Sequence, residues 1–395
     1  MALPTSDSVP FLDLSRHVSP LQEEIEARLA RVVRSGCFVL GPEIDQFEST
    51  LAQYCGTAHA IACASGSEAL LMALMALRLQ HGDEVIVPSF TFFATASAVS
   101  RLGGTPVFAD IDPLSCNISP ESVRERITPR TKAIIVVHLY GRAAPMEAFL
   151  ELAQEFHLPL IEDAAQAIGA SAFLAGGEKP VGSMGEIGCF SFYPTKNLGA
   201  MGDGGALTTN DDELARSLRL LRGHGMAPRY YHQIIGINGR LDAFQGAVLN
   251  VKFPHLEVWT TERENIARRY FDLFAQYRNL EGKISLFPPQ TAGRHVWNQF
   301  CVRVLQGRRD ALRSFLAERK IGTEIYYPLG LHEQQCFSFL GYLPDALPIT
   351  HKFSREILAL PIFPGLSPEE QQIVVENIVA FFEQDDSNKT RGVAV

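Results

Sequence analysis

The feature that most constrains this chain is a regular alternation, over its first two-thirds, of short apolar runs with segments of helical periodicity. The runs are EVIVP at 84–88, TPVFAD at 105–110, KAIIVVHLY at 132–140, LPLIED at 158–163, CFSFY at 189–193 and GALTT at 205–209. Each is of strand length and lacks the polar–apolar alternation of a sheet with one wet face, so strands covered on both sides are expected. Between the runs, Gly66 to Leu79 and Met146 to Phe156 read as helices. A third begins after Asn210, whose side chain is placed to cap it with Glu213 three residues on, and Gly223 and Gly225 supply its stop. The pattern predicts an α/β fold with a large, mainly parallel sheet. One helix stands apart: EALLMALMALRL, after Ser67, is apolar around almost its whole circumference. It belongs inside, with its N-terminus presented at a protected place.

From about Phe253 the character changes. A long charged helical pattern, HLEVWTTERENIARRYFDLFAQY, leads into shorter elements and ends with SPEEQQIVVENIVAFFEQ. Residues 1–252 are therefore expected to form a large domain and 253–395 a smaller α/β domain. The stretch 385–395, DDSNKTRGVAV, has little to bury and is expected to fray.

Composition narrows the function classes. A net charge of −9 disfavours polyanionic partners, so nucleic acid is not expected. The seven cysteines are odd in number, scattered and never spaced C-x-x-C, against both a disulfide framework and a cysteine zinc site. Reduced thiols in the cytoplasm are the expectation. No basic segment followed by an apolar stretch opens the sequence, and the apolar run Ala69 to Leu77 is far short of the ~18–20 residues of a membrane span. The sequence also lacks G-x-x-x-x-G-K-[ST], G-x-G-x-x-G after a first strand, H-E-x-x-H and G-x-S-x-G, and its eleven histidines show no metal spacing.

What remains is a set of residues in a particular order. Lys196 lies in SFYPTKNLGAMGDGGA, on a glycine-rich loop between two apolar strands, where desolvation would lower its pKa and free the amine for Schiff-base chemistry. Asp163 ends the strand LPLIED, the edge at which open α/β sheets bind ligands, and a carboxylate there can pair with a protonated pyridine nitrogen. Gln166 follows three residues later. Gly66 and Ser67 open the buried helix, where backbone N–H groups make an anion site. Phe92 follows the strand EVIVP, placed to stack on a flat ring. Each has an ordinary reading too: a loop lysine snorkelling outward, a helix-capping aspartate, a serine N-cap, a core aromatic.

Taken together, ASGSEAL, VPSFTFFATASAV, IEDAAQA, SFYPTKNLGAMGDGGA, GINGRLDAFQGAVL and YYPLGLH resemble the DegT/DnrJ/EryC1/StrS family of nucleotide-sugar aminotransferases. The resemblance runs from FLDLSRH to LALPIFPGLSPEE, and the lysine segment is its most specific part. It implies the aspartate aminotransferase-like fold of pyridoxal phosphate enzymes, as a homodimer with active sites shared between subunits. It implies that Lys196 carries the cofactor, Asp163 partners the pyridine nitrogen and Phe92 stacks on the ring. Gly66, Ser67 and Ser191 match phosphate positions, and Gln166 matches a residue beside the phenolic oxygen. Asn238 matches an asparagine that reaches the phosphate from the other subunit, Arg229 and Arg240 match contacts to a nucleotide pyrophosphate, and Tyr327 and His332 lie where the sugar sits.

The activity so implied is transfer of an amino group from L-glutamate to a nucleotide-linked keto-sugar. Members with histidine in place of the lysine dehydrate instead, which favours transamination here, and the SFYP wording resembles members acting at sugar C3. GRAAPMEAF at 141–149 departs from relatives that have Gln after the Gly. Alternatives are a dehydratase or epimerase with the same cofactor, and a retired relative that binds a sugar nucleotide for regulation or assembly.

Overall fold

All six apolar runs become strands of one seven-stranded sheet. The computed structural model describes residues 8–392. In chain order the sheet uses β1 (His59–Cys63), β2 (Glu84–Pro88), β3 (Thr105–Ala109), β4 (Thr131–Val137), β5 (Leu160–Asp163), β8 (Ile187–Ser191) and β9 (Gly205–Thr209); β6 (Ser171–Leu174) and β7 (Gly177–Pro180) form a separate hairpin. The spatial order is β1-β9-β8-β5-β4-β2-β3. β8, β5, β4, β2 and β3 are parallel, while β9 runs against both neighbours. The order reverses at β2, with β3 to one side and β4, β5 and β8 to the other, which opens a crevice at the strands' C-terminal ends.

The apolar helix spans Gly66–Ala76, and Ala69 through Leu74 are all buried in the core on one face of the sheet. Phe47, Phe149, Phe190 and Phe192 build the core on the other face. The helix after Asn210 is capped differently from expectation. Asp211 is the N-cap, its carboxylate accepting from the Glu213 and Leu214 N–H groups, while Asn210 Oδ1 accepts from the Ala58 N–H at 2.9 Å. Both residues are good caps, and the asparagine is taken by the loop into β1.

The C-terminal layer is a three-stranded antiparallel sheet of β10 (Ile284–Leu286), β11 (Phe300–Val304) and β12 (Ile357–Leu360), covered by helices Leu256–Ala275, Arg309–Glu318 and Pro368–Gly392. The last of these carries helical backbone as far as Gly392, through residues expected to fray; residues 393–395 lie outside those described. Val9 belongs to this layer's core: its N–H donates to Lys320 O at 3.1 Å and its carbonyl accepts from the Gly322 N–H at 2.8 Å. Among the described residues no helix is long and apolar enough to cross a membrane.

Under the crevice lies a buried polar knot. The Glu162 carboxylate accepts from the N–H groups of Gly182, Met184 and Gly185 at 2.8, 2.7 and 2.7 Å and from His138 Nε2–H at 2.9 Å. His138 Nδ1 accepts from the Ala144 N–H at 3.1 Å, which fixes the ring proton on Nε2. Burial raises the Glu162 pKa, but His138 and the amides outweigh it and hold the carboxyl below its ordinary value. Its contribution to stability is thus present above the ordinary carboxylate range and lost on acidification through its lowered pKa. Glu162→Ala leaves four donors unpaired, those of His138 and Gly182 fully buried, and should cost about 3–5 kcal/mol, measured as a lowered denaturant midpoint at neutral pH.

Candidate active site

The crevice is a cavity of about 740 Å3 lined from the ends of four parallel strands and from the C-terminal layer. Asp163 ends β5 and is 5% exposed. Its Oδ2 accepts from the Thr95 hydroxyl at 2.8 Å and its Oδ1 from the Ala165 N–H at 3.2 Å, so acceptor capacity remains toward the cavity. Burial pushes its pKa up, opposed by those bonds and by the charge of Lys196. Lys196 also lines the cavity. Burial pushes its amine down to about 8, with Asp163 pulling the other way.

Opposite these groups the Gly66–Ala76 helix begins. Its N-cap is Ser65, whose Oγ accepts from the Glu68 N–H at 3.1 Å, so the Ser67 hydroxyl is not spent on capping. The Gly66 and Ser67 N–H groups precede the first intrahelical bond. A Cβ on Gly66 would lie 2.7 Å from Ser191 Cβ, so only glycine lets the helix start approach that serine. Ser65, Gly66, Ser67 and Ser191 all line the cavity.

Phe92 presents its ring into the cavity, 57% exposed and 6.3 Å from the Tyr327 ring. Gln166 is held by its Oε1, which accepts from the Tyr140 N–H at 2.7 Å, while its Nε2 donates to the Tyr327 hydroxyl at 3.1 Å. One further Nε2 hydrogen remains.

Lys196, Asp163, Gly66, Ser67, Phe92, Gln166, Ser191 and Tyr327 thus share one cavity. His332 does not join them. It is 3% exposed, its Nε2–H donates to Pro344 O at 3.1 Å and its Nδ1 accepts from the Ser89 hydroxyl at 2.6 Å, so both nitrogens tie the loop after Tyr327 to the end of β2. Asn238, Arg229 and Arg240 also lie outside the lining; Asn238 and Arg229 are exposed, beside the exposed Tyr230, Tyr231 and Ile235. Tyr193, Thr195, Asp203, Gln299, Glu324 and Tyr326 also line the cavity without having been singled out from sequence, and Thr95 supports Asp163 from behind the lining. Thr95 carries a readable signal, since it follows Phe92 by three residues, nearly one helical turn. Glu324 and Tyr326 arrive from the C-terminal layer, at a sequence distance no local pattern bridges.

The family model of the DegT/DnrJ/EryC1/StrS aminotransferase family matches residues 20–379. The chain belongs to that family. The aminotransferase is 47% identical over 95% of its length to a pleiotropic regulatory protein of Geobacillus stearothermophilus, covering 99% of that protein. It is 42% identical over 92% of its length to a UDP-N-acetyl-3-dehydro-α-D-glucosamine 3-aminotransferase of Acidithiobacillus ferrooxidans, covering 95% of it. Among solved structures, DesV of S. venezuelae in complex with a ketimine intermediate superposes with a TM-score of 0.89 at 41% identity, over 96% of this chain and 99% of that one.

The donor set of the aminotransferase fits pyridoxal phosphate. A desolvated amine, a buried carboxylate with spare acceptor capacity and a helix start that only a glycine permits surround one space large enough for a ring and more.

The lowered pKa of Lys196 has a sign that can be checked. The folded chain binds fewer protons than the unfolded one between pH 8 and 10.5, so burying this amine without cofactor destabilises below pH 8 and is relieved as pH rises through that window. An amine-acylating reagent on cofactor-free protein should label Lys196 with a midpoint near pH 8, read by peptide mass spectrometry. Lys252, pushed equally low, is 2% exposed and should stay unlabelled.

Proposed function

We propose that the protein is a pyridoxal phosphate-dependent aminotransferase that converts a nucleotide-linked 3-keto-sugar to the amino sugar, with L-glutamate as donor. The observation that carries this reading is the shared cavity of Lys196 and Asp163 with the helix start at Gly66 and Ser67. When bound, pyridoxal phosphate supplies a ring that accepts electrons as the donor's Cα–H ionises.

The chain's own residues do the rest. Lys196 would hold the cofactor through its Nζ and, as an amine whose pKa burial lowers to about 8, would carry the proton between the donor Cα and C4′. Asp163 accepts from the ring N–H with the lone pairs that Thr95 and Ala165 leave open. The Gly66 and Ser67 N–H groups and the Ser67 and Ser191 hydroxyls bind the phosphate. Phe92 stacks on the ring, Gln166 spends its remaining Nε2 hydrogen on the phenolic oxygen, and Tyr327 faces the sugar. His332 positions that segment without touching the substrate.

Asn238, Arg229 and Arg240, outside the lining of this cavity, are offered to the cavity of a second copy, Asn238 to the cofactor phosphate and the arginines to the nucleotide pyrophosphate. The exposed Tyr230, Tyr231 and Ile235 around them favour a homodimer contact. The 3-keto assignment draws on the relative named as a 3-aminotransferase, and the seven free thiols suit the reducing cytoplasm. The relative named as regulatory favours a second reading, a sugar-nucleotide-binding regulator; the intact set of Lys196, Asp163 and Ser67 speaks for catalysis.

Loaded with pyridoxal phosphate, the protein should show a visible-edge absorbance band that glutamate bleaches and a nucleotide-linked 3-keto-sugar restores. Absence of any response to amino donors would favour the regulatory reading. Lys196→Ala should abolish turnover, and Asp163→Asn should lower kcat on the order of 10²–10³-fold.

Sharing of the site has its own test. Lys196→Ala and Asn238→Ala chains, each inactive alone, should regain activity when refolded together, in about a quarter of the sites; no recovery would place Asn238 in its own chain's site or in none.

A further inference from the structure

The loop that carries Lys196 is closed by a hydrogen bond from the Ala200 N–H to Phe192 O at 2.8 Å, and within it the Lys196 N–H turns back to Tyr193 O at 2.9 Å. Gly199 presses on the start of the same loop: a Cβ there would lie 2.3 Å from Pro194 O. Two contacts from outside grip this turn. Asn197 Nδ2 donates to Val296 O at 2.9 Å, and Asn298 Nδ2 donates to Asn197 Oδ1 at 2.8 Å. The second grip is Lys252, whose Nζ donates to Gly199 O.

Lys252 is an unusual residue to find there. It is the last residue of the Ala243–Lys252 helix and is 2% exposed. Among the described residues no carboxylate forms an ion pair with it; the Trp259 ring lies 5.9 Å from Nζ, and the His17 imidazole is near enough for the Lys252 charge to help hold its pKa down. A buried cation with no counter-ion is costly, and burial alone pushes this amine down to about 8. An apolar side chain of similar length would avoid that cost and could still pack on the Trp259 ring, but would lose the charge over that ring and the bond to Gly199. That bond is what the lysine provides.

We propose that Lys252 is a positioning residue for Lys196: by holding the Gly199 carbonyl it fixes the closed turn from Phe192 to Ala200, so that Lys196 reaches the cavity from one constant base. This rests on the reading of Lys196 as the acting amine. Lys252 does not line the cavity and touches no reacting atom. Its effect runs through three residues of backbone, from Gly199 to Lys196. A donor to that carbonyl is charge-assisted and therefore stronger than a neutral one, and a displacement of about 1 Å at a reacting group is enough to cost on the order of 10²-fold in rate.

The test compares full-length, cofactor-loaded Lys252→Met, Lys252→Arg and Lys196→Ala with wild type, with kcat expressed per mole of bound cofactor. A second readout is amide hydrogen exchange at Ala200 in the cofactor-free proteins. Lys252→Met should lower kcat at least about tenfold, leave KM for glutamate unchanged and speed exchange at Ala200, while exchange in β4 stays at the wild-type rate. Lys252→Arg, which keeps a charged donor, should recover part of both. Wild-type kcat and wild-type Ala200 exchange in Lys252→Met, beside a dead Lys196→Ala, would overturn this inference alone. Full turnover in Lys196→Ala would overturn the reading of Lys196 and the inference with it. If Lys252→Met does not fold, Lys252→Gln carries the comparison, and a folded Lys252→Gln with wild-type kcat would overturn the proposal.

Discussion

The close approach of one helix start to two strand ends is the constraint on which the site depends. A Cβ on Gly205 would lie 2.3 Å from the Ser65 carbonyl carbon, and one on Gly66 would meet Ser191 at 2.7 Å. With both positions glycine, the N-terminus of the Gly66–Ala76 helix seats directly on the ends of β8 and β9. The loop carrying Lys196 leaves from Ser191 and returns at Gly205, so both its feet stand on that helix start. The distance between the backbone that carries Lys196 and the free N–H groups of the helix start is therefore set by backbone packing, which is stiffer than any arrangement of side chains. Asp163, one strand over, is registered to the same frame through the pairing of β5 with β8, in which it stands opposite Cys189.

Much of this was legible in the sequence, because the signals involved are local. Apolar runs gave the strands of the central sheet, and the uniform apolarity of EALLMALMALRL gave a buried helix. The glycines and the lysine of SFYPTKNLGAMGDGGA marked the loop. Two strand features escaped. β1, HAIAC, begins with a polar residue and holds a single β-branched one, and the reversed direction of β9 leaves no trace in composition, since a covered antiparallel strand is as apolar as a parallel one. The cap of the helix at 212 was misplaced by one residue because Asn210 and Asp211 have equal chemical claim to it and a tertiary contact to Ala58 decided between them.

The site's illegible part is its long-range part. His332 had the right residue type in the right segment, yet Ser89 and Pro344 occupy its two nitrogens, and only the fold brings those partners to it. Glu324 and Tyr326 enter from a layer folded some 130 residues downstream of Lys196 in the chain. The charge balance misleads in a similar way. The chain is acidic overall, yet it buries cationic nitrogen at Lys196, Lys252 and Arg263 beside its site and its layer junction. Net charge describes the surface, and backbone carbonyls hold the Lys252 and Arg263 nitrogens inside it.

The pairing of Val9 with Lys320 and Gly322 ties the two ends of the story together. A residue near the N-terminus completes the core of a layer whose own strands begin at Ile284, so that core lacks a piece supplied from the far end of the chain. The layers are interlocked in sequence even though they are distinct in space. During synthesis the N-terminal segment must wait until more than 300 residues have emerged before its partner exists; the entropic cost of closing so long a loop grows only slowly with length, but the contact is delayed until late. The large sheet can take shape first, leaving the cavity's second wall to be built when the segment around Ile321 returns to meet residue 9.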